Sequence, residues 1–371
     1  MQPPSQIKHI VYMMLENRSF DKVFGYRGLE NNQVNGVDLN RDWNVDSNDK
    51  TIYASAIKPF LGEDYGRNGL TPTLYALNTK KSNASTNGGF VQANERYPYT
   101  WFINRPSPAV DVMGYYPRGS FPTLDYLADN YVLCDNYYCS APTDTTPNRM
   151  FALSGTSKGQ VVNPFQTFNP RKYKLQCQET IFDRLNEKDY PWKVYCDTYL
   201  PFSLLLVHQL KPSNLCRYAK LNKLYYDIEH NTLPAFSFIE PNYSKISMFG
   251  KTDNVSYLEN LVSNIYTKLK SNSQIWNSTL LIINFDEGGG FYDHVFPPES
   301  IAPDNHTRHF SFTQYGVRVP CLVISPLVNK TCDHTLYDHT SVLATIERLW
   351  QLAPLTKRDA QANDMIHLLK N

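Results

Sequence analysis

Apolar residues fall into two patterns along the chain. Near-continuous runs at Ile10-Val11-Tyr12-Met13-Met14-Leu15, at Leu280-Leu281-Ile282-Ile283 and from Val317 to Leu327 predict strands buried on both faces, as in a parallel sheet covered by helices. Shorter strands are expected at Tyr131 to Cys134, Trp192 to Cys196 and Ala235 to Ile239. Between them, Tyr257, Leu258, Leu261, Val262, Ile265, Tyr266 and Leu269 recur at helical spacing, as do Val342, Leu343, Ile346, Leu349 and Trp350. Each set forms an apolar stripe on one helix face. Strands alternating with amphipathic helices predict an α/β sandwich.

The stretch from about Arg27 to Ser120 shows neither period and is rich in Asn, Gly, Tyr and Pro. It is expected to be a long excursion from the carboxyl edge of the sheet, where loops shape a pocket on a rigid scaffold. The sequence holds no internal repeat, low-complexity tract or linker, so residues 1–371 are expected to form one catalytic domain. With 36 basic and 35 acidic residues the net charge is +1, which gives no electrostatic footprint for nucleic acid or an anionic membrane. No apolar stretch is long enough to span a bilayer. The first residues lack the pattern of a signal peptide. Seven cysteines (Cys134, Cys139, Cys177, Cys196, Cys216, Cys321, Cys332) form no zinc spacing and leave the redox compartment open. Glycosylation triplets at Asn83, Asn277 and Asn329 fit secretion but also arise by chance in an Asn-rich chain.

Candidate chemistry gathers where strands end. The first strand leads into Glu16-Asn17 and the strand at Thr279 to Phe285 into Asp286-Glu287-Gly288-Gly289-Gly290. Carboxyl ends of strands border the ligand crevice of open α/β sheets, so these points can converge. Three carboxylates and an amide carbonyl suit a divalent cation, with glycines allowing close backbone approach, although a single acid in this position is more often a cap. In Pro142 to Arg149, Pro147 is expected as the first helical residue with Thr146 as its cap. A hydroxyl at a helix N-terminus meets free N–H groups that stabilise an alkoxide or a phosphate, but a threonine needs a metal to become nucleophilic. Asp293-His294 and Asp338-His339 can ligate metal, clamp phosphate or protonate a leaving group. His9 and His208 read as structural, and His230, His306, His309, His334 and His367 have no distinguishing context.

The run from Ile7 to Asp21 resembles the opening of the phosphoesterase family that contains bacterial and plant non-specific phospholipases C and related acid phosphatases. The same family's motifs follow in order at Thr145-Thr146-Pro147-Asn148-Arg149 with Ser154-Gly155-Thr156-Ser157, at Asp286 to Val295, at Gly316 to Pro320 with Ile324-Ser325-Pro326, and at Asp338 to Leu343. The resemblance implies a three-layer α/β/α sandwich with a mostly parallel sheet, alkaline-phosphatase-like, and a phosphoryl-enzyme mechanism. By position it makes Glu16, Asn17, Asp286 and Glu287 metal ligands and Thr145 the nucleophile that also touches the metal. Asn148 and Arg149 are expected to orient that loop or the phosphate, and His294 and His339 fall on family histidines, His339 being the better candidate for catalysis or a second metal.

The implied reaction is that of a metal-dependent phospholipase C on a glycerophospholipid such as phosphatidylcholine, at a membrane or micelle surface. The alternatives are an acid phosphatase on phosphomonoesters and a non-catalytic lipid- or partner-binding member. The implied metal is zinc, whereas oxygen ligands by themselves suit Ca²⁺, Mg²⁺ or Mn²⁺. The expected destination is export, with peripheral contact to membranes. The chain departs from the family at Lys22 and Gly288, where other residues are usual, and at Asp253-Asn254, where a histidine commonly follows the segment matching Glu240-Pro241.

Overall fold

The computed structural model describes residues 6–58, 68–79, 87–97, 108–163, 178–198, 201–205, 212–243, 245, 254–307 and 309–370. Asn83, Cys177, His208 and Asp253 lie outside them. Twelve strands are described: β1 His9–Leu15, β2 Trp43–Val45, β3 Thr51–Tyr53, β4 Val132–Cys134, β5 Tyr137–Tyr138, β6 Trp192–Cys196, β7 Tyr218–Lys220, β8 Phe236–Glu240, β9 Thr279–Phe285, β10 Cys321–Ile324, β11 Thr331–Asp333 and β12 Tyr337–Asp338. Eight of them form the central sheet in the order β11-β4-β10-β9-β1-β8-β6-β7.

β1 pairs in parallel with both β8 and β9, and β10 alone runs against its neighbours β9 and β4. The sheet is thus mostly parallel, and the α/β/α layering expected from the sequence is observed. Val317 to Leu327 contracts to the four-residue β10, whose full burial accounts for its unbroken apolar run. Such a run reports burial on two faces and carries no information on strand direction.

Both predicted amphipathic helices form, at Asn254–Ser271 and His339–Trp350. The second is started by Asp338 and Ser341, whose Oγ accepts the Asp338 N–H at 3.1 Å. Helix Asn254–Ser271 packs on helices Pro122–Asn130 and Leu221–Glu229, whereas His339–Trp350 packs on Thr145–Ser154 and Lys357–Gln361. One contiguous apolar core runs through the sheet and both helix groups. In β1, Ile10 to Leu15 are entirely buried; burial of a large apolar side chain contributes about 1.5–3 kcal/mol, so this strand anchors everything attached to its end. In the excursion, the described residues form short helices such as Leu70–Asn78 and Phe90–Arg96 and the hairpin β2–β3.

Candidate active site

Leu15 of β1 lies beside Phe285 of β9, so Glu16 and Asp286 leave adjacent parallel strands at the same edge. The turn that follows β1 places Asn17 in the left-handed region at φ +59°, a conformation that asparagine tolerates better than most residues. Its N–H donates to Asp286 Oδ1 at 3.0 Å. The Glu287 N–H donates to the same oxygen at 2.8 Å. The glycines are needed by this crossing of backbones. A Cβ on Gly289, at φ +64°, would stand 2.5 Å from the Asn17 carbonyl oxygen, and one on Gly288 would stand 2.2 Å from Val317 Cγ2.

The helix Thr145–Ser154 begins two residues earlier than expected, with Asp144 rather than Thr146 at the cap and Pro147 third in the helix. The first helical N–H groups have no intrahelical partner, so a proline loses nothing there. Thr145 is therefore the first helical residue, and it is the one residue between Ala141 and Met150 that is not buried. Its Oγ1 lies 3.5 Å from Asn17 Oδ1, and it is a near neighbour of the Asp286 carboxylate, whose pKa it pulls down slightly against the effect of burial.

Asn148 and Arg149 turn inward rather than toward a ligand. Asn148 accepts from the Ala141 N–H at 3.1 Å and donates to the carbonyl oxygens of Ala141 and Thr143, at 3.2 and 3.3 Å, which pins the loop leading to Thr145. The fully buried Arg149 donates from Nε to Asp286 Oδ2 at 3.2 Å and from Nη2 to the Leu15 carbonyl at 2.9 Å and Glu16 Oε1 at 3.4 Å. Nη1 meets the Tyr243 hydroxyl at 3.2 Å. The guanidinium thus fastens the ends of β1 and β9 from below.

Burial raises the pKa of Asp286 against the pull of Arg149. Burial and the Asp286 charge together push that of Glu287 far up. Glu287 takes hydrogen bonds from uncharged amides, Asn68 Nδ2 at 2.7 Å and the Gly289 N–H at 2.6 Å. Desolvation also raises the neighbouring Asp144 carboxyl to about 7. Buried carboxylates facing one guanidinium favour an added cation. Asn17 Oδ1, Thr145 Oγ1 and the Asp286 carboxylate already approach one another as oxygen donors to such an ion do, so the residues fit a divalent metal.

Glu16, Asp286 and Glu287 share the strand edge without closing into a tight cluster. Among the described residues, groups of three His, Cys, Asp or Glu side chains with ligand atoms within 4.8 Å of one another occur instead at Asp135-Cys332-His334 and Asp21-Asp293-His294. Like-charged carboxylates stay apart unless a counter-charge draws them in.

The two candidate histidines lie in different places. His339 is fully buried beneath Asp286, with Nε2 at 2.7 Å from the Asp286 carbonyl oxygen. That oxygen can only accept, so Nε2 carries the proton. Nδ1 then accepts from the Tyr137 hydroxyl or Asn284 Nδ2, both at 3.2 Å. Burial pulls the ring's pKa down to about 3, which leaves it neutral and with no nitrogen turned to a ligand. His294 belongs to a separate network, with Nδ1 2.8 Å from Asp21 Oδ2 and Nε2 2.9 Å from Asn35 Oδ1. Burial opposes protonation there, but the Asp21 carboxylate wins and the pKa rises.

Sequence reasoning missed Asn68, Asp144 and Tyr243. Asn68 comes from the excursion and Tyr243 follows β8, with no motif to mark them; Asp144 preceding a helix reads as an ordinary cap. Of the departures, Lys22 is buried over the Phe291 ring and donates to the Asp111 carbonyl, and Gly288 answers to the close approach of Val317. The six described cysteines are free thiols.

Residues 7–353 match the model of the phosphoesterase family. Non-specific phospholipase C6 of Arabidopsis thaliana is 32% identical, over 96% of this chain and 71% of its own length. Non-specific phospholipase C1 of the same plant is 30% identical, over 96% and 69%. Phospholipase C B of Mycobacterium tuberculosis is 30% identical, over 97% and 77%. Among solved structures, an alkaline phosphatase superfamily protein from Vibrio parahaemolyticus is similar at 12% identity with a TM-score of 0.45, over 97% of this chain and 70% of that one. The chain is a phosphoric-ester hydrolase and belongs to the phosphoesterase family.

Proposed function

We propose that this protein is a metal-dependent phospholipase C that cleaves a glycerophospholipid on the glycerol side of its phosphate, with Thr145 as nucleophile. The observation that carries the reading is Thr145 itself: half-buried within a buried segment, first in its helix, 3.5 Å from Asn17 Oδ1 and beside the Asp286 carboxylate. The Oγ of Thr145 attacks phosphorus, the Oγ–P bond forms, and the P–O bond to glycerol breaks. Diacylglycerol leaves with a proton, and water then hydrolyses the phosphothreonine to release the phosphorylated head group.

Asn17, Thr145 and Asp286, with Glu16 and Glu287 on the same edge, would hold the metal. When bound it supplies the positive charge that favours the threonine alkoxide and offsets the phosphate oxygens. Zinc is the family's expectation. Asn148 fixes the loop that presents Thr145, and Arg149 and His339 fix Asp286 from two sides. At the helix start, among the described residues, the Thr145 N–H faces no capping side chain and can meet a phosphate oxygen, whereas the Thr146 N–H is taken by Asn163 Oδ1 at 2.7 Å and Pro147 has none. Several relatives are named phospholipases C, which supports the lipid substrate.

The test is product analysis with wild type and Thr145→Ala, on phosphatidylcholine micelles and on a soluble phosphomonoester, before and after chelation and with each divalent metal restored. Diacylglycerol that disappears in the mutant and on chelation is the expected outcome. Phosphate from the monoester alone would make the protein a phosphatase. Lipid binding without product under any metal would make it a non-catalytic member.

A further inference from the structure

Asp135 is the residue after β4 and His334 the residue after β11, and these strands pair in parallel with Cys332 beside Leu133 and Asp333 beside Cys134. The Asp135 N–H donates to the Asp333 carbonyl at 3.2 Å, continuing the pairing one step beyond the strands. Register alone therefore brings three chemically different side chains to one corner of the sheet. His334 Nδ1 lies 2.8 Å from Asp135 Oδ1, and the ligand atoms of Asp135, Cys332 and His334 all fall within 4.8 Å of one another. Around a tetrahedral ion with bonds of about 2.0–2.3 Å, neighbouring ligands stand roughly 3.3–3.8 Å apart, so small side-chain rotations suffice to close the set.

We propose that Asp135, Cys332 and His334 form a second metal site, for a borderline divalent transition ion with zinc foremost, separate from the Thr145 site and independent of the reading given to it. One sulfur, one nitrogen and one carboxylate oxygen are the donors such an ion prefers, whereas Mg²⁺ and Ca²⁺ select oxygen. The Asp135 side chain is buried, and its second oxygen is oriented by the Asn35 N–H at 2.8 Å, the kind of outer contact that holds a ligand in place. The other three-residue cluster makes the contrast. Between Asp21 and Asp293 the Arg318 guanidinium already supplies the cation, at 3.0 and 2.8 Å. The same guanidinium meets Asp135 at its backbone carbonyl, from Nη1 at 2.8 Å, with Nε and Nη2 held by Asp293 and Asp21, so among the described residues the ion-pair partner of the Asp135 carboxylate is His334.

Cys332 and His334 also line a cavity of about 1120 Å³ bounded by the loop from Arg27 to Arg41 and by Arg118. Three protein ligands leave a fourth position open toward it, which is the coordination of a site that takes an exogenous ligand rather than a closed structural one. On binding, the Cys332 thiol proton leaves to solvent as the sulfur–metal bond forms, and His334 binds through Nδ1 in place of its contact with Asp135, its single ring proton residing on Nε2. Cys332 and His334 stand only two residues apart, but the third ligand, Asp135, lies almost two hundred residues away, so the set matches no standard zinc spacing in the sequence.

The test is titration of the chelator-stripped full chain with cobalt(II), reading the thiolate-to-cobalt charge-transfer band in the near ultraviolet. The band is expected in wild type and in Asp286→Asn, which alters only the Thr145 site. It is expected to vanish in Cys332→Ser and to bleach when zinc is added. His334 is largely exposed, so His334→Ala keeps the fold and is expected to weaken cobalt binding at least about tenfold. No band in wild type, a band persisting in Cys332→Ser, or unchanged affinity in His334→Ala would each overturn the site.

Discussion

The Nε2–H of His339 points at the backbone oxygen of Asp286, and burial holds the ring neutral by lowering its pKa to about 3. A group in that state positions its neighbour and does not trade protons near neutrality. His339→Asn is expected to lower kcat about 10–100-fold, as loss of an outer-shell partner does, while the pH–rate profile keeps its shape. A profile that lost one limb in this variant would instead identify His339 as an acid or base. Arg149 invites the complementary experiment. With the guanidinium removed, Asp286 and Glu16 stay buried without their partner, so Arg149→Met is expected to cost about 3–5 kcal/mol in urea unfolding, with little rescue by Arg149→Lys. Motifs made the residue types at this site legible, because Glu16, Asn17, Thr145, Asp286 and Glu287 sit at strand and helix ends that periodicity reveals. They could not show that Asn148, Arg149 and His339 face inward, since orientation depends on partners such as Leu15 and Ala141 that are remote in sequence or only local in space.

Among the elements, the long strands were legible because two-sided burial demands an unbroken apolar run, as in β1 and β9. The edge strands β7 and β11 were not, being three residues long and partly exposed. The start of the Thr145 helix was misplaced because proline is tolerated anywhere in the first turn, so Pro147 marks the turn and not its first residue. The junction between helix His339–Trp350 and helix Lys357–Gln361 carries a pH signature. Burial, reinforced by Asp359, raises Glu347 to about 9, whereas the unfolded chain has about 4.3. The native state therefore binds the extra proton between these values, and the stability it brings is full below about 4.3 and lost as pH rises through 9. Glu347→Gln removes this dependence. Its Tm relative to wild type is expected to climb steadily between pH 5 and 9; a flat difference would mean that Glu347 ionises normally in the fold.

At the scale of the whole molecule, Arg318 ties distant segments together. Its Nη1 donates to the Asn35 and Asp135 carbonyls at 2.7 and 2.8 Å, while Nε and Nη2 hold Asp293 and Asp21. His294 completes this knot. Its raised pKa means that protonation stabilises the fold below the unfolded value of about 6.5 and that this contribution fades as pH rises through the folded value. Asp21 is lowered despite its burial because His294 and Arg318 face it, so its share is lost only in acid, below about 3.9. His294→Gln is therefore expected to lower Tm most between about pH 4 and 6.5 and progressively less above; equal losses at pH 5 and pH 9 would refute the charged pair. None of this was legible in the sequence, because the knot joins Asp21 and Asn35 to residues more than two hundred positions away with no shared spacing. The same separation governs how the chain comes off the ribosome. Ile10 finds its strand neighbours only at Phe236 and Leu280, so this buried apolar ribbon is made before either partner and waits, at roughly 5–20 residues per second, on the order of ten to fifty seconds for one. Vectorial synthesis thus makes β1 a natural client for chaperones, and the carboxylate edge it carries cannot assemble until translation has passed β9.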